Sequence, residues 1–135
     1  MNRQFVDTFY FLALLNPDDA AHDRADRHAR APTAPLVTTD WVLVEVGDAM
    51  ADPRNRAAFL RLLDILRNDP NVEVVPADPD LFARGINLYA NRPDKGWSLT
   101  DCLSFVVMAE RGIVEALTGD HHFKQAGFRA VFRGL

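Results

Sequence analysis

Ser98-Leu99-Thr100-Asp101-Cys102-Leu103-Ser104-Phe105 and, after an apolar run, Ala116-Leu117-Thr118-Gly119-Asp120-His121-His122-Phe123 frame the stretch on which this chain turns. The first segment predicts the start of a helix. Ser98 is a good N-cap, and Asp101 three residues on forms a capping-box-like pair with it. From Leu99 to Ala109 apolar side chains occupy most of the circumference, the mark of a helix buried on nearly all sides. Gly112 ends it, as a C′ glycine should. Ile113 to Thr118 then reads as a strand, and Asp120 sits just past its carboxyl end. A buried helix that begins with an acid is thus followed by a strand that ends with one.

Working outward, two more acids fall in comparable places. Asp7 follows Gln4-Phe5-Val6, a short strand, and precedes the apolar helix Thr8 to Leu15. Glu45 lies one turn into the helix Asp40 to Met50, which follows the strand Leu36 to Thr38 and is capped by Thr38 or Thr39. Between these, Asn16-Pro17-Asp18 stops one helix and starts another, Asp18 to Arg30, a polar helix with an alanine stripe at Ala21, Ala25 and Ala29. Its Asp23–Arg27 and Asp26–Arg30 pairs are spaced i, i+4. Pro32-Thr33-Ala34-Pro35 reads as a linker. After Asp52-Pro53, Phe59, Leu62, Leu63 and Leu66 mark an amphipathic helix, with Arg54 and Arg61 on its opposite face beside Arg56 and Arg67. Val72 to Val75 is a strand, Asp78-Pro79 starts a helix to about Tyr89, and Asn91 to Trp97 is a polar loop. Phe128 to Phe132 is a last short strand. Strands alternating with helices predict one α/β domain over residues 1–135, a three-layer α/β/α sandwich around a parallel sheet.

Length and composition set the bounds. A chain of 135 residues buries roughly two-thirds of its unfolded surface. With 48% hydrophobic and 25% charged residues it falls in the globular class. No apolar run approaches the ~20 residues of a membrane span, and the N-terminus reaches Asp7 too soon for a signal peptide. A single cysteine excludes an internal disulfide and a cysteine zinc cluster. A cytoplasmic protein is expected. The net charge of −4 argues weakly against nucleic acid as a partner, since carboxylates gathered in one site lower it without preventing a basic rim elsewhere.

Each acid has a bland explanation: Asp7 as N-cap, Asp101 as a capping-box member, Asp120 as a turn residue, Glu45 as a first-turn or surface acid. Together they gather at the carboxyl edge of the expected sheet, where open α/β sheets bind ligands. Carboxylates converging there repel one another unless a cation lies between them. Hard oxygen ligands without cysteine or a histidine pattern suit Mg²⁺ or Mn²⁺. Such ions hold a phosphate and activate a water for in-line attack, in pairs roughly 3.5–4 Å apart where two are used. Phosphodiester hydrolysis is the chemistry that follows.

Val6-Asp7-Thr8, Thr38-Thr39 with Val44-Glu45-Val46, Ser98-Leu99-Thr100-Asp101-Cys102, and Leu117-Thr118-Gly119-Asp120-His121-His122-Phe123 with Gly127-Phe128 resemble, in that order, the motifs of the PIN-domain ribonucleases. The resemblance spans the chain and is strongest to the VapC type, the toxins of bacterial toxin–antitoxin pairs. It implies an α/β/α sandwich, Mg²⁺- or Mn²⁺-dependent RNA cleavage, frequent homodimerisation and inhibition by a small cognate antitoxin. Carried over, Asp7, Glu45, Asp101 and Asp120 match the family's acidic quartet. Asp7 and Asp101 would be the main metal ligands, with Glu45 and Asp120 supporting ligands or orienters of the attacking water. Thr8 matches the hydroxyl residue that often follows the first acid. Phe9 departs from the small or hydroxyl residue common in relatives.

The remaining chemistry-bearing residues have plainer readings. His121 and His122 could suggest zinc, but adjacent residues usually cannot both face one site and no third histidine has ligand spacing; phosphate contact or packing are the other roles. Cys102 reads as a small core residue. Trp41 reads as core, whereas Trp97 is either core or a platform for a base. Asp94-Lys95 is an exposed turn or a substrate contact. An aspartyl-phosphate phosphatase would need a second aspartate at position 9, where Phe9 stands. A phosphoacceptor domain would need paired acids at the first strand. A non-catalytic binding module on the same fold would usually lack one or more of the acids, and all four are present.

Overall fold

Short apolar strands buried on both faces, joined through amphipathic helices, pack as a parallel sheet covered by helices. The computed structural model describes residues 2–31 and 34–133 and has this arrangement. In chain order the elements are β1 (Gln4–Val6), α1 (Thr8–Leu15), α2 (His22–Arg30), β2 (Leu36–Thr39), α3 (Asp40–Ala49), α4 (Pro53–Asn68), β3 (Val72–Val75), α5 (Pro79–Asn91), α6 (Leu99–Arg111), β4 (Glu115–Leu117), α7 (His121–Gln125) and β5 (Arg129–Ala130). All pairings are parallel, in the order β3-β2-β1-β4-β5. The chain steps outward from β1 to β3, then returns past β1 to β4. The direction of winding therefore reverses between β1 and β4, and such a switch point opens a crevice at the carboxyl ends of the strands. Val6 is in register with Leu117, so Asp7 and Thr118 leave the sheet side by side.

Local sequence chemistry sets the helix starts. Ser98 and Asp101 form a true capping box on α6, and Gly112 closes that helix with φ 65°, a left-handed conformation glycine adopts without strain. Thr39, not Thr38, caps α3 by accepting the Val42 N–H; the Thr38 hydroxyl instead donates to Val6 O at 2.9 Å, tying β2 to β1. Asp52-Pro53 and Asp78-Pro79 cap α4 and α5 with proline in the first turn. On α4, Leu66 is buried and Phe59, Leu62 and Leu63 pack against the core, as the periodicity predicts.

The core is centred on Phe5, Phe11, Leu103, Met108, Leu117 and Phe123, each almost wholly buried. A run of rings crosses it: Phe5–Phe123 at 6.4 Å, Phe123–Phe105 edge-on at 4.9 Å, Phe105–Trp97 edge-on at 5.0 Å. Phe123 has a particular task. A five-residue helix has no stability of its own, and burial of this ring, worth about 1.5–3 kcal/mol, pins α7 beneath the switch point.

Three elements depart most from the sequence reading. The second helix begins at His22 rather than Asp18, because the Asn16 and Asp19 side chains accept the N–H groups of Asp18 and Ala21 and form turns instead. Of its two expected ion pairs, Asp26–Arg30 forms at 2.9 Å and Asp23–Arg27 does not. The two strands around Phe123 shrink to Glu115–Leu117 and Arg129–Ala130, with the unexpected α7 between them. Pro32 and Thr33 of the expected linker lie outside the described residues. Among those residues no helix is long and apolar enough to cross a membrane.

Gly85 lets α5 lie close against α6. A Cβ there would stand 2.3 Å from Leu103 Cδ2, and the Leu103 side chain is itself buried and cannot swing away. Gly85→Ala should therefore lose about 1–3 kcal/mol through overpacking despite alanine's helix propensity. Thermal melting checks this. In the Leu103→Ala background the same change should cost much less; equal losses in both backgrounds would rule the contact out.

Candidate active site

The four acids predicted from sequence meet at the switch point. They share a cleft of about 530 Å³ whose other walls include Phe9, Leu12 and His122. Asp7 stands at the N-cap of α1 but makes no side-chain cap bond. It is 5% exposed, and its Oδ2 accepts the Thr118 hydroxyl at 2.9 Å. The same Thr118 oxygen accepts the Asp120 N–H at 3.0 Å. One buried hydroxyl thus joins the acid after β1 to the acid after β4.

Each remaining acid is also held. Asp120 caps α7, its Oδ1 accepting the His122 N–H at 2.9 Å. Asp101 is 7% exposed; its Oδ2 accepts the Ser98 N–H at 3.1 Å and lies 2.9 Å from His122 Nδ1. Glu45 reaches in from α3, and its Oε1 accepts the Thr8 hydroxyl. Gly119 lies between Thr118 and Asp120 with the Phe9 ring against it. A Cβ at that position would come within 2.8 Å of the ring, so Phe9 and Gly119 fit only as a pair. Phe9 also meets Phe132, with ring centroids 6.2 Å apart.

Electrostatics follows from this placement. Among the described residues, no lysine or arginine lines the cleft. Burial, foremost, raises the Asp7 carboxyl from its ordinary value of 3.8 to about 7, with Asp101 and Asp120 adding repulsion and the Thr118 hydrogen bond opposing the rise. A cation among these oxygens would reverse that balance. An all-carboxylate set with a buried member fits a hard divalent ion.

The structure separates the other candidates. Neither Arg54 nor Arg61 lines the cleft, and Arg54 turns back onto its own cap, Asp52, at 2.8 Å. Cys102 is fully buried, and burial beside Asp101 pushes its thiol up, as suits a core residue. Trp41 is only half-buried, stacked on the exposed ring of Phe82, whereas Trp97 is buried with its Nε1–H donated to Gln125. His121 and His122 do converge, contrary to the usual behaviour of adjacent residues: ligand atoms of both lie with one from Asp120 within 4.8 Å of one another. Sequence reading passed over Thr118. Its signal was a hydroxyl at the end of an otherwise apolar strand, two residues before an acid. The His122–Asp101 contact had no sequence signal, because it depends on where Phe123 anchors α7.

A parallel sheet of this order, sandwiched by helices and bearing four acids at its switch point, defines a class. The PIN domain matches residues 5–129, and the chain belongs to the PIN-domain family. It is 32% identical over 133 residues to the 23S rRNA-specific endonuclease VapC20 of two Mycobacterium tuberculosis strains, with 92% of this chain and 94% of that protein covered. The crystal structure of M. tuberculosis VapC20, described as a Sarcin-Ricin loop cleaving toxin, matches with a TM-score of 0.84 at 29% identity over 94% of this chain and 97% of that one. FitAcB from Neisseria gonorrhoeae shares the fold, with a TM-score of 0.66 at 18% identity over 96% of each chain. The resemblance carried by the motifs is thus confirmed at the level of family.

The raised Asp7 value has a consequence for stability. The folded, metal-free protein binds a proton at Asp7 up to about pH 7, whereas the unfolded chain releases it near pH 4. The associated stabilisation is complete below about pH 4 and is lost as pH rises through about 7. Asp7→Asn carries no such term. In EDTA, the melting temperature of the variant relative to wild type should climb between pH 5 and 7.5; a constant offset across that window would contradict the linkage.

Proposed function

We propose that this protein is a divalent-metal-dependent endoribonuclease and the toxin of a toxin–antitoxin pair. Asp7, Glu45, Asp101 and Asp120 are its metal-binding, catalytic residues. One observation carries the reading: four carboxylates from four separate segments of the chain share one cleft that, among the described residues, no lysine or arginine lines. Mg²⁺ or Mn²⁺ fits the donor set, and when bound it supplies charge neutralisation, a hold on the scissile phosphate and activation of a water for in-line attack.

The chain's own residues prepare the site for that chemistry. Asp7 and Asp101, both nearly buried, are the principal ligands, pre-oriented by Thr118, by the Ser98 N–H and by His122. Glu45 and Asp120 are less enclosed. Held by Thr8 and by the His122 N–H respectively, they complete the shell or orient the attacking water. Phe9 and Leu12 supply an apolar wall that narrows the approach. The curated relative's described action on 23S rRNA makes a ribosomal RNA loop the first substrate to assay. A cognate antitoxin, a homodimeric state and a cytoplasmic location complete the proposal.

Asp101→Asn separates this reading from a plain helix cap. Removing one charge relieves repulsion in the metal-free cleft, so stability in EDTA should hold or rise, whereas loss of a capping acid alone would cost about 0.3–1 kcal/mol. Saturating Mn²⁺ should stabilise the wild type by roughly 2.7 kcal/mol at a hundred times Kd, and the variant less. Cleavage should fall by more than about 100-fold, beyond the loss typical of residues that only support a metal ligand. Melting with and without Mn²⁺ and cleavage of one RNA decide it. A variant that responds to metal and cuts normally would leave Asp101 as a cap. Wild-type protein that binds RNA without cutting it under any divalent ion would make the chain a binding module.

A further inference from the structure

The cleft that attracts a cation repels the polyanion it is to cut, so the groups that hold RNA must lie beyond its rim. The arginines on the polar face of α4 do not border it. The loop between α5 and α6 does. Its Gly96 lines the acidic cleft and also a second hollow of about 500 Å³, whose walls include Tyr89, Arg92, Lys95 and Trp97. The two depressions meet at Gly96, and no neighbouring atom lies within 4 Å of where a Cβ would stand there. A glycine at this shared border puts no side chain between them.

The second hollow has the chemistry of a nucleotide site. The Arg92 guanidinium lies over the Trp97 ring, 5.0 Å from its centroid, and Asp94 holds Nε and Nη2 with two bonds of 3.0 Å. Trp97 is fixed in turn by its bond to Gln125 and its edge contact with Phe105. Two bonds to Asp94 thus orient the guanidinium beside the indole, and the side chain is still 41% exposed. Tyr89, at the end of α5, is 52% exposed and borders the same hollow. Lys95 Nζ forms a loose ion pair with Asp94 at 4.0 Å, outside hydrogen-bond reach, which leaves its N–H donors free of that carboxylate. Asp94 offsets the charge of Arg92, so Arg92 offers a plane and Lys95 a charge.

We propose that this hollow is a subsite for a nucleotide adjoining the scissile phosphate. A base of single-stranded RNA stacks on the outer face of Arg92 and on Tyr89, Lys95 meets a backbone phosphate, and the strand crosses Gly96 into the acidic cleft. Bases stack on guanidinium and aromatic planes whatever their sequence, so the subsite contributes grip rather than base identity. It rests on the nuclease reading for the direction of the strand, but binding there does not require cleavage.

The test uses a short single-stranded RNA carrying 4-thiouridine, crosslinked to the wild-type protein, with steady-state cleavage of the same strand. Crosslinks should fall in residues 89–97. Lys95→Ala should flatten the dependence of log affinity on log salt by about 0.7, one phosphate contact on a single strand. Arg92→Lys, which can still pair with Asp94 but lacks the plane, should raise KM about fivefold, with kcat and the salt slope unchanged. Both sites are at the surface, and melting curves confirm folding. Crosslinks confined to other segments, such as α4, together with a wild-type salt slope and KM in both variants, would overturn the subsite. That result with RNA still cut would leave the nuclease reading standing, whereas crosslinks in the loop without any cleavage would do the reverse.

Discussion

Thr118 has one hydroxyl proton, and it is committed to Asp7. That bond, at 2.9 Å and fully enclosed, spans the point where the sheet reverses its direction of winding, and the site depends on it. Because the hydroxyl hydrogen goes to Asp7, a lone pair is left for the Asp120 N–H, which fixes where the chain turns into α7. Asp7, meanwhile, is left with little access to water. A charge-assisted bond from a hydroxyl offsets part of the desolvation of a carboxylate, not all of it. The rise of Asp7 toward neutrality measures what is left uncompensated. Convergence of acids at this crevice is therefore a strain that the apolar core sustains and that a cation would relieve.

The core and the site are linked through α7. Phe123 is locked between Phe5 and Phe105, and from that anchor the preceding residue, His122, reaches Asp101 on α6. The same carboxylate oxygen accepts the Ser98 N–H. Asp101 is thereby both a helix cap and a candidate ligand, and the two roles cooperate: the cap bond fixes one oxygen and leaves the other less constrained. The fold class and the four acids were legible because they rest on local rules, namely short apolar strands, capping residues before helices, and acids just past strand ends or near helix starts. What could not be read depends on three-dimensional packing. The start of α2 was lost to competition from Asn16 and Asp19 side chains. The existence of α7 rests on burial of one phenyl ring, and the separation of Arg54 and Arg61 from the cleft rests on the path of α4 across the molecule. Periodicity assigns those arginines to a polar face without saying what that face borders.

Phe9 illustrates how a departure from a family pattern is accommodated. In a helix start that borders a metal cleft, a small residue leaves room for ligand and solvent. Here a ring fills that room, resting on Gly119 and meeting Phe132. The neighbour lacks a side chain where the ring lies, so the substitution narrows the cleft laterally without touching the carboxylates. The carboxylates proposed to bind metal and the shape of the approach are thus separable features of the sequence. The first are carried by acids at strand ends and near helix starts, the second by whatever the adjacent positions hold.

Charge is partitioned in the same spirit. The net charge of −4 would misdirect any guess about a polyanionic partner, because the sign that matters is local. Four carboxylates occupy a cleft that, among the described residues, has no lysine or arginine in its walls, while Arg92 and Lys95 stand in the loop just outside. With a Debye length of about 8 Å at physiological ionic strength, a phosphate feels mainly the charges nearest it, Lys95 and Asp94 at the loop and the carboxylates in the cleft. A divalent ion changes only the second of these fields. Engagement of the scissile phosphate would then be coupled to metal occupancy, while grip on the flanking strand would not.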